Sequence, residues 1–171
     1  RLPSVIVVGI DPGLANLGIG VVREDGKTPV HLHSELVRTS TETPHPQRIA
    51  LIYKAVRSVL ELHRPEALSI EAQYFHAQPG TAFKVGEAVG VIMLACAQLD
   101  IPVFEYGPME VKQALVGTGQ ASKEQIIFMV RAMLQLKISP ASSHSADALA
   151  LALTHLASRR VREFAGLSRR K

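Results

Sequence analysis

Apolar residues along this chain come in short blocks, and the spacing within the blocks alternates between two patterns. Residues 5–10 (Val-Ile-Val-Val-Gly-Ile) are almost continuously apolar, as a strand covered on both faces must be. Asp11-Pro12-Gly13 ends that run with turn-forming residues. Residues 18–23 and 30–37 read as second and third strands, separated by Glu24-Asp25-Gly26-Lys27. Three strands with short connections predict an antiparallel meander. From Pro46 the period becomes helical, with Ile49, Ile52, Tyr53, Val56, Val59, Leu60 and His63 on one face. Residues 67–70 then predict a short buried strand that ends at Glu71. The remaining pattern predicts a helix over 81–99, a strand over 103–106 and a short helix over 108–116. Ser122 and Gln125 fit a capping box for a helix to about residue 136. A final helix spans 145–158, with Leu149, Leu153 and Leu156 facing inward.

This order predicts one α/β domain over residues 1–158, a five-stranded mixed sheet with helices on both faces. Residues 159–171 follow as a basic C-terminal tail. The 171-residue length suits one domain and leaves little room for two. Apolar residues make up 47% of the chain, enough for a core, and the 20% charged content excludes a disordered polyelectrolyte. A lone cysteine, Cys96, excludes an intramolecular disulfide and a four-thiolate zinc site, and its apolar helical context predicts a core residue. Interruptions by Gly, Asp, Arg or Pro leave no expected membrane span, and nothing resembles a signal peptide, so a cytoplasmic protein is expected. The net charge of +4 is uneven: residues 159–171 carry +5 and the rest −1. A polyanionic partner and a merely solvated terminus both fit that distribution.

Candidate chemistry begins with two carboxylates delivered by buried strands, Asp11 after the first and Glu71 after the fourth. If these strands are parallel neighbours, both carboxylates emerge at the sheet edge where open α/β folds place ligands. His144 and Asp147, three residues apart, open the last helix on one face. Turn capping explains Asp11, and the helix dipole explains Asp147, if each is taken alone. Together the four make a hard-ligand set suited to Mg²⁺ or Mn²⁺. Gly86 and Gly90 sit one turn apart inside the second long helix, at a cost of about 1 kcal/mol each relative to alanine. Close approach by another element is the expected reason. The two-fold-related helix of a second copy would bring Gly86, Val89, Gly90 and Met93 into a homodimer interface.

The chain resembles the RuvC family of bacterial Holliday junction resolvases, within the ribonuclease H-like fold. The resemblance runs from about residue 5 to residue 158. Its first motif is Gly9-Ile10-Asp11-Pro12-Gly13 followed by Gly18-Ile19-Gly20, and its second is Ile70-Glu71 with Tyr74-Phe75. The third runs from Phe104-Glu105-Tyr106 through Val111-Lys112-Gln113 and Gly117-Thr118-Gly119 to Lys123. The fourth is His144-Ser145-Ala146-Asp147-Ala148-Leu149-Ala150. Any one is weak; their order and spacing together are specific. The resemblance implies a homodimeric, structure-selective endodeoxyribonuclease that resolves four-way DNA junctions. Paired metal-dependent nicks leave 5′-phosphate and 3′-hydroxyl ends, and a branch-migration helicase complex is the implied partner. It also implies that Asp11, Glu71, His144 and Asp147 are catalytic metal ligands for two ions per subunit. Many members carry aspartate where this chain has His144; the softer imidazole shifts preference from Mg²⁺ towards Mn²⁺. Lys112 is implied as a catalytic and DNA-contacting residue. Lys123 and the weaker candidate Lys84 are implied DNA contacts, with Tyr74 stacking on bases near the branch point and Phe75 supporting it.

Three rivals remain open at the level of sequence. Another ribonuclease H-like nuclease, acting on RNA·DNA hybrid or another branched substrate, would use the same metal cluster. An actin-like ATPase needs two related domains, which the length opposes. A non-catalytic DNA-binding module would carry its acid cluster as a burden beside phosphates.

Overall fold

In a computed structural model, the described residues are 4–26, 28–72 and 78–164. Five strands, β1 (Val5–Asp11), β2 (Asn16–Glu24), β3 (Pro29–Arg38), β4 (Ala67–Glu71) and β5 (Val103–Tyr106), form one sheet in the order β3-β2-β1-β4-β5. β1, β2 and β3 pair antiparallel, while β4 runs parallel to both β1 and β5. The meander and the expected β1–β4 adjacency are both present. The helices among the described residues are α1 (His45–His63), α2 (Pro79–Gln98), α3 (Pro108–Val116), α4 (Lys123–Met133) and α5 (Ser143–Phe164).

Strand alternation divides the core in two. Val8, Ile10, Leu17, Ile19, Val21, Leu68 and Ile70 face one side, where Ile52 and Val56 of α1 and Ala88 and Ile92 of α2 complete a cluster. Val5, Val7 and Val22 face the other, against Ile126 and Val130 of α4 and Leu149, Leu153 and Leu156 of α5. Cys96 is buried as predicted, and burial pushes its thiol up to about 11, so it is an inert core group.

Two helix boundaries and one composition argument differ from expectation. α4 stops at Met133 because Gln135 takes a left-handed backbone conformation and the Leu136 N–H folds back onto the Arg131 carbonyl. α5 runs past Ser158 to Phe164, so residues 159–164 are helix rather than tail. Long-range partners extend it: Arg160 pairs with buried Glu24 at the end of β2, and Arg162 donates to the Tyr106 hydroxyl. α2, with 20 residues and a mean hydropathy of 1.4 in its most apolar window, is long and apolar enough to cross a membrane. Its interrupting residues do not lower the average enough to prevent this, contrary to the sequence expectation.

Tyr106 also ties β5 to α5 through a 2.8 Å hydrogen bond between its hydroxyl and Nδ1 of buried His155. Burial, reinforced by the charges of Arg162 and Arg159, pushes His155 down to about 4. The unfolded chain therefore binds a proton that the folded chain refuses between about pH 6.5 and pH 4. This stabilisation is complete above pH 6.5 and is lost as pH falls towards 4, on the order of 3 kcal/mol in all. Denaturant unfolding at pH 7 and pH 5 should show that loss. His155→Phe should have a visibly shallower acid limb; an identical limb would exclude His155 as its source.

Candidate active site

Three elements, β1, β4 and α5, bring the acidic residues together at the C-terminal ends of β1 and β4. Asp11 closes β1 and Glu71 closes β4, next to each other because Ile10 and Ile70 are paired in parallel register. α5 supplies the other side by crossing directly over the backbone of β1 and β2. The sequence permits this at three glycines. A Cβ at Gly9 would lie 1.9 Å from the Ala148 carbonyl oxygen, one at Gly18 2.0 Å from that of His144, and one at Gly20 2.7 Å from the Leu149 nitrogen. Ala146, Ala148, Ala150 and Ala152 are small enough to let the helix settle into this trough, and all four are buried. Ser142 caps the helix by accepting from the Ser145 N–H at 3.0 Å. Ser69 fastens β4 to the same helix, donating to the Leu151 carbonyl at 2.8 Å.

The result places His144 over β1, where its Nδ1 donates to Asp11 Oδ2 at 2.7 Å. Asp147, one turn on, accepts from Lys123 Nζ at 3.1 Å. Asp11, Glu71, Asp147, Lys112 and Lys123 line one pocket of about 310 Å³. Pro108, Val111, Ile126, Ala150 and Leu151 give it an apolar wall. Burial raises Asp11 above the ordinary carboxylate range; the His144 hydrogen bond opposes this and the Asp147 charge adds to it. Burial likewise raises Glu71, reinforced by the negative charges of Asp11 and Asp147. Such a site is short of positive charge.

Among the described residues, no three His, Cys, Asp or Glu side chains are already drawn together as ligands of one ion. Their polar atoms have protein partners instead: His144 holds Asp11, and the Lys123 ammonium stands beside Asp147 as a cation would. The donor set still fits a hard divalent cation, because Asp11, Glu71 and Asp147 line one pocket, the His144 imidazole stands against Asp11, and burial disfavours the ionised forms of Asp11 and Glu71.

Of the other predicted residues, Lys84 is exposed on α2 and is not among those lining the pocket. Tyr74 and Phe75 lie outside the described residues. Val89 and Met93 are half-buried on α2, and a Cβ on Gly86 or Gly90 would meet nothing within 4 Å. The three trough glycines were the positioning residues missing from the sequence reading. Their motif was visible, but its partner helix lies more than a hundred residues away.

Comparison with known proteins places this geometry in context. The family described as crossover junction endodeoxyribonuclease RuvC matches residues 7–155. The crossover junction endodeoxyribonuclease RuvC of Thermus thermophilus is 48% identical over 154 residues, covering 88% of this chain and 93% of its own. That of Brevibacillus brevis is 43% identical over 149 residues, covering 87% and 90%. The T. thermophilus RuvC structure in complex with Holliday junction substrate superposes with a TM-score of 0.89 at 47% identity, covering 92% of this chain and 96% of the other. A yeast mitochondrial Holliday junction resolvase, at 12% identity and a TM-score of 0.64, shares the fold.

Proposed function

This chain belongs to the RuvC family of crossover junction endodeoxyribonucleases, and from that premise we propose that Asp11, Glu71, His144 and Asp147 are the metal-holding residues with which it resolves Holliday junctions. It is a metal-dependent endodeoxyribonuclease of the ribonuclease H-like fold. The observation that carries the site assignment is the meeting of Asp11, Glu71 and Asp147 in one pocket with Lys112 and Lys123. Two ions per subunit fit the family reading, and His144 tilts the set towards Mn²⁺ over Mg²⁺. A divalent cation held there supplies Lewis-acid polarisation of the scissile phosphate and an activated water.

The chain's own residues do the rest. His144 fixes the Asp11 carboxylate through Nδ1, leaving Nε2 as its nitrogen for a metal. Lys112 and Lys123 balance the charge of the incoming phosphate, and Lys123 can leave Asp147 to do so. The apolar wall from Val111 to Leu151 keeps bulk water from the reacting phosphate. Tyr74, supported by Phe75, stacks on bases at the crossover, and Lys84 contacts the backbone from α2. Nicks leave 5′-phosphate and 3′-hydroxyl ends in the bacterial cytoplasm, in company with a branch-migration helicase.

The test is a panel of synthetic four-way junction, matched duplex and RNA·DNA hybrid in Mg²⁺, Mn²⁺ or EDTA. Paired nicks confined to the junction, fastest in Mn²⁺ and absent in EDTA, are expected. Preferential cutting of the hybrid would transfer the chain's activity to the rival nuclease reading.

Assembly follows from α2. Only 22% of its most apolar window is buried, and Phe83 and Leu94 are exposed on the side that carries Gly86 and Gly90. Among the described residues no element approaches either glycine, so the cost of placing them in a helix has no return there. The same surface of a second copy, related by a two-fold axis, would bury this stripe. Gly90→Leu should fold normally and sediment as a monomer in analytical ultracentrifugation at concentrations where the parent is dimeric. A stable dimer of the variant would move the interface off α2.

A further inference from the structure

We propose that Arg38, backed by Arg48, is a docking point for a DNA backbone phosphate on the side of the carboxylates opposite Lys112 and Lys123. The proposal rests on the nuclease reading above for the identity of its ligand. Arg38 is the last residue of β3, is exposed, and pairs with Asn16, while Asp11 pairs with Gly18. Asn16 and Gly18 are two residues apart in β2, so Arg38 and Asp11 lie on the same face of the sheet, the face that α5 crosses at Gly18. Two strand spacings and two residues of rise put their Cα atoms about 12 Å apart. A phosphate close to the cleaved one along the same DNA strand falls within reach of an arginine at that distance.

The strand order gives the position its meaning. Lys112 and Lys123 come from α3 and α4, which pack against α5, and they line the pocket beside Glu71 of β4, whereas no residue of β2 or β3 is among its lining residues. DNA held only there would be anchored at one flank of the scissile phosphate. Arg38 stands at the other flank, two strands away from β1 in the opposite direction. Among the described residues its side chain makes no hydrogen bond or ion pair, whereas Arg57, Arg159 and Arg160 all have carboxylate partners.

The backbone that carries Arg38 is also fixed. Buried Thr39 donates its N–H to the Ala15 carbonyl at 3.0 Å and its hydroxyl to the Leu14 carbonyl at 2.5 Å. Arg48, only 7% exposed, donates from Nε to the Thr39 hydroxyl at 2.9 Å and has no carboxylate partner among the described residues. A guanidinium so deeply placed and not neutralised by an acid is stabilised when an anion approaches. Arg38 thus sits on a rigid corner with a second positive charge behind it, whose guanidinium suits phosphate oxygens.

The experiment measures junction binding in EDTA across a salt titration for the parent, Arg38→Gln and Arg38→Lys. Each phosphate contact contributes about 0.9 to the slope of log affinity against log salt on duplex arms. Arg38→Gln should reduce the slope by up to that amount and weaken binding several-fold, while Arg38→Lys keeps most of both. Single neutral methylphosphonates placed at each phosphate flanking the cut then locate the contact. One position should weaken the parent and leave Arg38→Gln unaffected. An unchanged slope together with an unchanged methylphosphonate map would overturn the proposal and leave Arg38 a solvated strand end. A parent that binds junctions but never cuts them would sink the nuclease reading instead, with the slope and map still deciding Arg38.

Discussion

Asp11→Asn and Glu71→Gln should each lower junction cleavage by about 10³-fold or more while leaving junction binding measurable. Each change keeps the shape of the side chain and removes one negative charge from the pocket proposed to hold the metal. Neither should unfold the protein. Glu71 is already held above the ordinary carboxylate range by burial and by Asp11 and Asp147, so its neutral isostere meets no penalty that the acid avoids. In Asp11→Asn the side-chain oxygen can still accept from His144 Nδ1. Circular dichroism and junction binding serve as controls. Cleavage at the parent rate by either variant, with both controls normal, would remove that residue from the site.

Gly18→Ala should be nearly as damaging, although Gly18 touches no substrate. The added Cβ would lie 2.0 Å from the His144 carbonyl oxygen and 2.4 Å from its carbon, both backbone atoms that cannot rotate away. The first turn of α5 must lift from β2, taking with it the imidazole that holds Asp11. Asp147 sits on the next turn of the same helix. A displacement near 1 Å is enough to cost about 10²-fold in rate, and the overpacking itself costs about 1–3 kcal/mol. The expected variant is folded, less stable, and slowed by at least that factor at saturating junction. Gly80→Ala, where a Cβ meets nothing within 4 Å, is the matched control and should be nearly silent. A Gly18→Ala protein within a few-fold of the parent rate would show that α5 does not set the site through this contact.

These two predictions separate what local sequence reveals from what it conceals. Asp11 and Glu71 are legible because each ends an apolar run, and a buried strand announces both its length and the residue at its exit. Asp147 and His144 are legible by helical spacing. The reason for Gly18-Ile19-Gly20 is not, because its partner is the backbone of a helix over 120 residues later, and a backbone leaves no signature in sequence. The end of α5 is hidden for a similar cause. Residues 159–164 read as a charge-rich tail, yet Glu24 and Tyr106, from β2 and β5, extend the helix through them. Arg38 belongs to no motif, and only strand register reveals that it shares a face with Asp11. The apolar face of α2 is visible in the sequence through its two glycines, but among the described residues no element packs against them.

Asp11, Glu71, His144 and Asp147 are proposed to hold divalent metal together. Titration of Mn²⁺ into the DNA-free protein, followed by the loss of the free-ion electron paramagnetic resonance signal, tests it most directly. The parent should take up Mn²⁺ with an affinity that falls at least tenfold in Asp11→Asn, in Glu71→Gln and in Asp147→Asn, all three remaining folded. Equal Mn²⁺ uptake by the parent and the three variants would contradict it.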